Sequence, residues 1–198
     1  MNVATKMQPV RGEYWPDERL VDECRNKGSE QAWSALVDKY KNLIYSIPIK
    51  LGMYNDAADI FQSVCLDLLS DLPKLREPRA LPKWIMQTCY RKCLLYRRRA
   101  ERHVPLGENE GETVDVVDEQ SVLPEDLLVQ LEKEQRLREA LSQLNARCER
   151  MVRMLFFEFP PRPYEEIARE LDLASGSIGF IRSRCLAKLR AQLEKMGF

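Results

Sequence analysis

Apolar residues recur three and four positions apart along this chain, and no segment alternates apolar with polar as a half-buried strand would. That property confines the fold to helix packed on helix, so the expected class is all-α. Proline and glycine cut the pattern into pieces. Asp17 is placed to cap a helix over residues 17–27, which Gly28 stops, since glycine suits the left-handed terminal position. Ser29 opens a second helix carrying Trp33, Leu36, Val37, Tyr40, Leu43, Ile44 and Ile47, and Pro48 is expected to kink it. Asp56 is the expected cap of a third, with Ala57, Ile60, Phe61, Val64, Leu68 and Leu69 facing inward, up to Pro73. A proline-punctuated loop then leads into a fourth helix over residues 83–103.

Charge divides the chain further. The formal net charge is zero, which by itself argues against a nucleic-acid partner, but the charge is segregated. Residues 74–102 hold ten Lys and Arg against Glu77 and Glu101, whereas residues 104–126 hold eight acids and no Lys or Arg. The acidic piece has little periodicity and contains Gly107 and Gly111, as a flexible linker would. The expected organisation is a mobile N-terminus (1–16), a helical domain (17–102), an acidic linker (103–123) and a second helical domain (124–198). In the second, Pro124 starts a helix with Leu127, Leu128, Leu131, Leu137, Leu141 and Leu144 as its stripe. Asn145 caps the next helix, which the prolines at 160–163 end.

Residues 164–189 read as two helices joined by a tight corner. Ile167, Ala168 and Leu171 share one face of the first. The second is expected to begin at a capping Ser175, with Ile178, Ile181, Cys185 and Leu189 inward and Ser177, Arg182, Ser183 and Lys188 outward. A short helix, a corner and a longer helix with an uncharged start and a basic end is a layout that reads DNA. It is equally the layout of an ordinary helical hairpin. Gly176 and Gly179 cost helix stability, about 1 kcal/mol each relative to Ala. Retaining both implies a close neighbour, either DNA or another helix.

Two earlier stretches carry chemistry of their own. Asp56, Asp59, Gln62 and Ser63 form a polar ridge at helical spacing, either a solvated face with a cap or a docking ridge for a basic partner. Trp84 comes after a loop with Arg76, Arg79 and Lys83, and precedes Gln87, Tyr90, Arg91, Lys92, Tyr96, Arg97, Arg98 and Arg99. Basic groups bind phosphates through Coulomb attraction and counterion release, and aromatic faces stack on unpaired bases. Together they suit a strand taken out of its duplex; the bland alternative is a core Trp beside a basic helix end.

Cys24, Cys65, Cys89, Cys93, Cys148 and Cys185 are expected to be structural thiols, several of them on apolar helical faces. Cys89 and Cys93 lie one turn apart, but without a CxxC pair and with His103 as the sole histidine no metal site is expected. The chain contains no GxxxxGKS or GxxxxGKT loop, no HExxH and no GxSxG, so neither an enzyme nor a cofactor is expected. No signal peptide or membrane-spanning run is expected, which implies a soluble, reducing, cytoplasmic setting.

In this order the pieces resemble bacterial sigma factors of the extracytoplasmic-function type, in the sigma-70 superfamily, which join a region 2 to a region 4 through a linker. Residues 56–66, DAADIFQSVCL, resemble that family's DAEDLVQEVFL stretch; Trp84 and Ile85 followed by Arg97, Arg98 and Arg99 resemble its WL-to-arginine helix. Residues 163–186, PYEEIARELDLASGSIGFIRSRCL, resemble its region 4 pattern SYEEIAELLGISEGTVKSRLRRAR. The resemblance implies an alternative sigma factor that binds core RNA polymerase, recognises minus-35 and minus-10 promoter elements and promotes opening. It implies docking on the polymerase, through its beta and beta-prime subunits, by Asp56, Asp59 and Gln62 with Ser63 beside them. It further implies minus-10 contact by Arg76, Arg79, Lys83, Trp84, Gln87, Arg91, Arg97, Arg98 and Arg99. Minus-35 contact would fall to Ser175, Ser177, Gly179, Arg182, Ser183, Arg184 and Lys188. An anti-sigma factor is a further partner the resemblance allows, with location at the nucleoid when in holoenzyme. The chain departs from the pattern at Ala58, where the family has Glu, and at Gly179, Phe180 and Ile181, where it has KSR. Without the resemblance, a helix-turn-helix regulator acting on duplex DNA without polymerase explains the C-terminal half, and an interaction module derived from one remains a third reading.

Overall fold

Pro16 starts the first described helix, α1 (Asp17–Lys27), in a computed structural model that describes residues 15–102 and 121–198. Of the expected mobile N-terminus (1–16) and acidic linker (103–123), residues 1–14 and 103–120 lie outside those described; the described remainder is not free, since Trp15 packs against the first core and Leu123 is buried in it. The described chain is all-α, as expected: α2 (Glu30–Lys50), α3 (Ala57–Asp71), α4 (Leu81–Arg102), α5 (Glu125–Ser142), α6 (Ala146–Phe156), α7 (Tyr164–Glu170) and α8 (Ile178–Lys195) follow α1, with no strand among the described residues.

Local chemistry accounts for most boundaries, with three corrections to the expected caps. Gly28 closes α1 at φ 58°, and Ser29 Oγ accepts from the Ala32 N–H at 3.2 Å to start α2. Asn145 Oδ1 likewise accepts from the Cys148 N–H at 2.9 Å at the start of α6. Asp17, however, does not cap α1: its carboxylate is drawn to Lys39 Nζ at 2.7 Å and Tyr40 Oη at 2.8 Å on α2. Asp56 makes no side-chain cap bond to α3. Ser175 makes none either; a 3-10 turn over Ser175–Ser177 precedes α8, which begins three residues later than expected. There Ser177 Oγ donates to the Ala174 carbonyl at 2.7 Å.

Pro48 lies inside α2, which runs on to Lys50. Having no N–H, it leaves the carbonyl of Ile44, four residues back, without its usual helical donor. Cys89 of α4 fills the place, its Sγ donating to Ile44 O at 3.4 Å, so a buried thiol completes a helix broken by proline.

Two apolar cores result. Leu36, Tyr40, Leu43, Ile44 and Ile47 of α2 meet Ile60, Val64 and Leu68 of α3 and Leu81, Ile85, Met86, Cys89 and Cys93 of α4, with Leu20 and Val21 of α1 beneath. The second core joins Ala140, Leu141, Leu144, Cys148, Met151, Val152, Met154, Ile167, Ala168, Ile178, Cys185 and Leu189. The leucine stripe of α5 is divided between them: Leu127, Leu128 and Leu131 pack on the first core and Leu137 and Leu141 on the second.

One cysteine expectation fails. Cys148 of α6 and Cys185 of α8 form a disulfide with Cα atoms 5.2 Å apart, while Cys24, Cys65, Cys89 and Cys93 are free. The period that placed Cys185 on an inward face is right, but a sequence separation of 37 hides that packing α8 across α6 sets it against the buried Cys148.

Candidate nucleic-acid interface

The helical corner is made by backbone geometry that its sequence does not advertise. After α7, Asp172 takes φ 52°, a left-handed conformation that Asp tolerates better than most residues, and the Leu173 N–H returns to Ala168 O at 2.8 Å. This turn sends the chain into α8, whose Ile178, Cys185 and Leu189 are buried and fix its rotation. The opposite face is exposed and carries Gly179, Arg182, Ser183, Arg184 and Lys188, with Ser175 and the half-buried Ser177 at the entrance. Arg182 Nη1 is held by Tyr164 Oη at 2.6 Å, and Ser183 Oγ donates to Gly179 O at 3.0 Å. The neighbour sought for Gly176 and Gly179 is not another helix among the described residues, where a Cβ on either glycine meets nothing within 4 Å. Both glycines present bare backbone to the outside. Phe180 stands out from the core at 67% exposure, with the Arg184 guanidinium 5.6 Å from its ring.

The N-terminal half carries a second set of basic side chains, spread along α4 and the loop before it. Trp84 is half-buried against the first core, which is what the core reading of it expects. Arg76, in the loop before α4, and Lys83, in its first turn, are exposed, as are Arg97, Arg98 and Arg99 in its last turns, so these basic groups lie toward opposite ends of the helix. Arg79 reaches back to Glu18 of α1 at 3.0 Å, and Arg97 Nη2 donates to the Leu51 carbonyl at 3.4 Å. Gln87 and Arg91 are occupied within the chain. Gln87 Nε2 and Arg91 Nε both donate to Ser121 O, at 2.5 and 3.5 Å, and Gln87 Oε1 accepts from the Leu123 N–H at 3.1 Å.

On α3, Asp59 and Gln62 are exposed while Asp56 and Ser63 are half-buried, so the four form a ridge at the helix start. Sequence reasoning missed its continuation. Leu66 is 68% exposed and Leu69, expected inward, is 58% exposed. Residues 59, 62, 66 and 69 follow the same spacing of three and four as the core positions, so the signal was present. Tyr45 of α2 stacks on Phe61 at 4.6 Å between ring centroids, and the exposed Ile49 and Tyr54 add to the apolar character of this side. A further exposed aromatic group, Phe156 at the end of α6 with Phe157 and Phe159 just after it, had no sequence reading beyond the end of a helix.

No metal geometry accompanies these surfaces: no group of three or more His, Cys, Asp or Glu side chains that could hold an ion occurs among the described residues. Cys89 is held as a thiol by its hydrogen bond with Cys93 and by burial, both of which push its pKa up. Among the described residues, no helix is long and apolar enough to cross a membrane.

Residues 140–191 match the family described as Sigma-70, region 4. The matched stretch begins in the second half of α5 and ends within α8, so it takes in the whole of the second core apart from the last turn. The match supports a sigma-70-type region 4 over that stretch, with α7 and α8 as its helix-turn-helix. No curated protein shows a significant match to the chain. Within the matched stretch the disulfide ties α8 to α6.

Proposed function

We propose that the chain is an alternative sigma factor of the extracytoplasmic-function type, acting in the bacterial cytoplasm on the nucleoid. It binds core RNA polymerase, recognises a minus-35 element with the exposed face of α8, and recognises and opens a minus-10 element with the basic end of α4. The observation that carries this reading is the exposed face of α3. A DNA-binding regulator has no use for a second bundle whose exposed side runs from Asp59 and Gln62 to bare Leu66 and Leu69. Carboxylates beside apolar side chains suit a protein partner with a basic, partly apolar helix, as expected of the polymerase clamp. An anti-sigma factor is a further partner of the same surfaces. The protein performs no chemistry of its own.

A match confined to residues 140–191 favours equally a helix-turn-helix regulator that binds duplex DNA without polymerase. Run-off transcription with purified core polymerase over a promoter library separates the two. Transcripts that require the protein establish the sigma reading. Failure to associate with core, together with tight binding of a palindrome by the protein alone, establishes the regulator.

A further inference from the structure

The strand-contacting face proposed for α4 is already occupied. Both polar atoms of the Gln87 carboxamide are used by the backbone at residues 121 and 123, and Arg91 donates to the same Ser121 carbonyl. The segment is seated by more than polar contacts. Leu123 is buried in the first core at 4% exposure, whereas its neighbour Val122 points outward at 73%. Leu127, Leu128 and Leu131 continue the seating into α5. Two ion pairs tie α5 across to α2, Lys50 with Glu134 at 2.8 Å and Lys39 with Glu139 at 3.9 Å.

We infer that residues 121–123 form an autoinhibitory strap, which occupies Gln87 and Arg91 until it is lifted and so competes with single-stranded DNA for the same face of α4. The inference rests on the proposed role of that face in strand binding. The contacts are of the displaceable kind. Backbone carbonyls and N–H groups are satisfied equally well by water once the strap lifts, and a single leucine anchors the crossing. Gln87 is suited to both states, because its amide can donate to and accept from a base edge as it does from the strap. A partner that draws residues 121–123 away from α4 would therefore expose the strand site in the same movement.

The test uses the full chain and needs no polymerase. Leu123→Ser removes the anchor without changing charge, and Val122→Ser alters the same strap at a position that touches no core. Amide hydrogen exchange over residues 121–131 reads strap release, and fluorescence anisotropy with a short single-stranded DNA of mixed sequence reads access. If the strap covers the site nine-tenths of the time or more, releasing it tightens apparent binding by about tenfold or more. Leu123→Ser is expected to speed exchange and gain that affinity, and Val122→Ser to do neither. Faster exchange with unchanged strand affinity overturns the inference. So does a gain in affinity that survives Arg91→Ala in the Leu123→Ser background, since the strap would then be covering some other site. Either failure leaves run-off transcription, which tests the proposed function, untouched.

Discussion

Reducing the Cys148–Cys185 disulfide should loosen the second half of the protein and leave the first nearly unchanged. The bond closes a loop with a sequence separation of 37 that contains the whole of α7 and the corner leading into α8. In the chain-entropy description, opening a loop of that length gives the unfolded state about 4 kcal/mol of extra freedom. A helical unit of this size has a total stability of only about 4–10 kcal/mol, so the loss is a large fraction of it. For amides of α6, α7 and α8 that exchange by opening of the whole unit, about 4 kcal/mol corresponds to exchange faster by roughly three orders of magnitude.

The assay is hydrogen exchange on the same protein with and without a dithiol reductant, read by mass spectrometry. The molecule carries its own control, because Trp15, Trp33 and Trp84 all lie in the first half. Tryptophan fluorescence in urea then reports the first core, and its midpoint should hardly move. Alkylation in denaturant should label four thiols before reduction and six after, matching the four free cysteines of the native chain. Six thiols without reductant, or exchange in α6 to α8 indifferent to reduction, refutes the reasoning.

Asp59 is exposed, so Asp59→Ala should leave thermal stability within about 0.5 kcal/mol of the parent. It should weaken core polymerase binding by about tenfold or more, the loss of one charge-assisted contact; unchanged affinity in a pull-down titration removes the residue from the docking surface. Gly179→Ala should act in opposite directions, raising helix stability by up to about 1 kcal/mol because nothing in the chain opposes a Cβ there, while weakening duplex binding. An alanine protein that is more stable and binds DNA as well as the parent would show that the glycine is not needed for close approach. Glu170 bonds to Arg150 and Arg162, and the hydrogen bond from Arg150 leads the causes that lower its pKa from 4.5. With the folded value depressed, this tie stabilises above pH 4.5 and is lost as pH falls through the lower folded value. A carboxyl NMR titration should place Glu170 below 4.5 and move it up in Arg150→Ala; a midpoint unmoved by that substitution contradicts the assignment.

The sequence made the helices legible because each core position is repeated within its own helix. Ile178, Cys185 and Leu189 fix the rotation of α8 by spacing alone, and Ser29 and Asn145 announce their helix starts through chemistry that acts three residues away. Asp17 and Asp56 obey the same composition rule and fail it; the Asp17 carboxylate leaves its helix end for a lysine and a tyrosine on another helix. The Cys148–Cys185 bond, the Cys89–Ile44 contact and the strap on Gln87 are long-range, and no local pattern encodes them. Of the candidate surfaces, the reading helix was visible because its exposed face is unlike its buried one. The lower part of the α3 face was not, because Leu66 and Leu69 have the same composition as a core.

The way α5 serves both cores bears on how the two proposed DNA-contacting surfaces are made available. Lifting the strap costs the burial of Leu123, about 1.5–3 kcal/mol for a leucine taken fully out of water, offset by the freedom its short segment regains. Detaching α5 also costs the burial of Leu131 and part of Leu127 and Leu128, together with the pairs to Lys50 and Lys39. Partly exposed pairs contribute little each, so the leucines dominate that larger cost. Strap release can therefore occur alone, with α5 still seated and the region 4 domain held where it is. Moving α7 and α8 relative to α4 requires the larger detachment, because α5 is one continuous helix and its second half is built into the same core as the disulfide. Spontaneous fluctuation suffices for the first step. The second needs a partner that covers the leucines α5 leaves behind, so access to the α4 face comes before any change in spacing between the two surfaces.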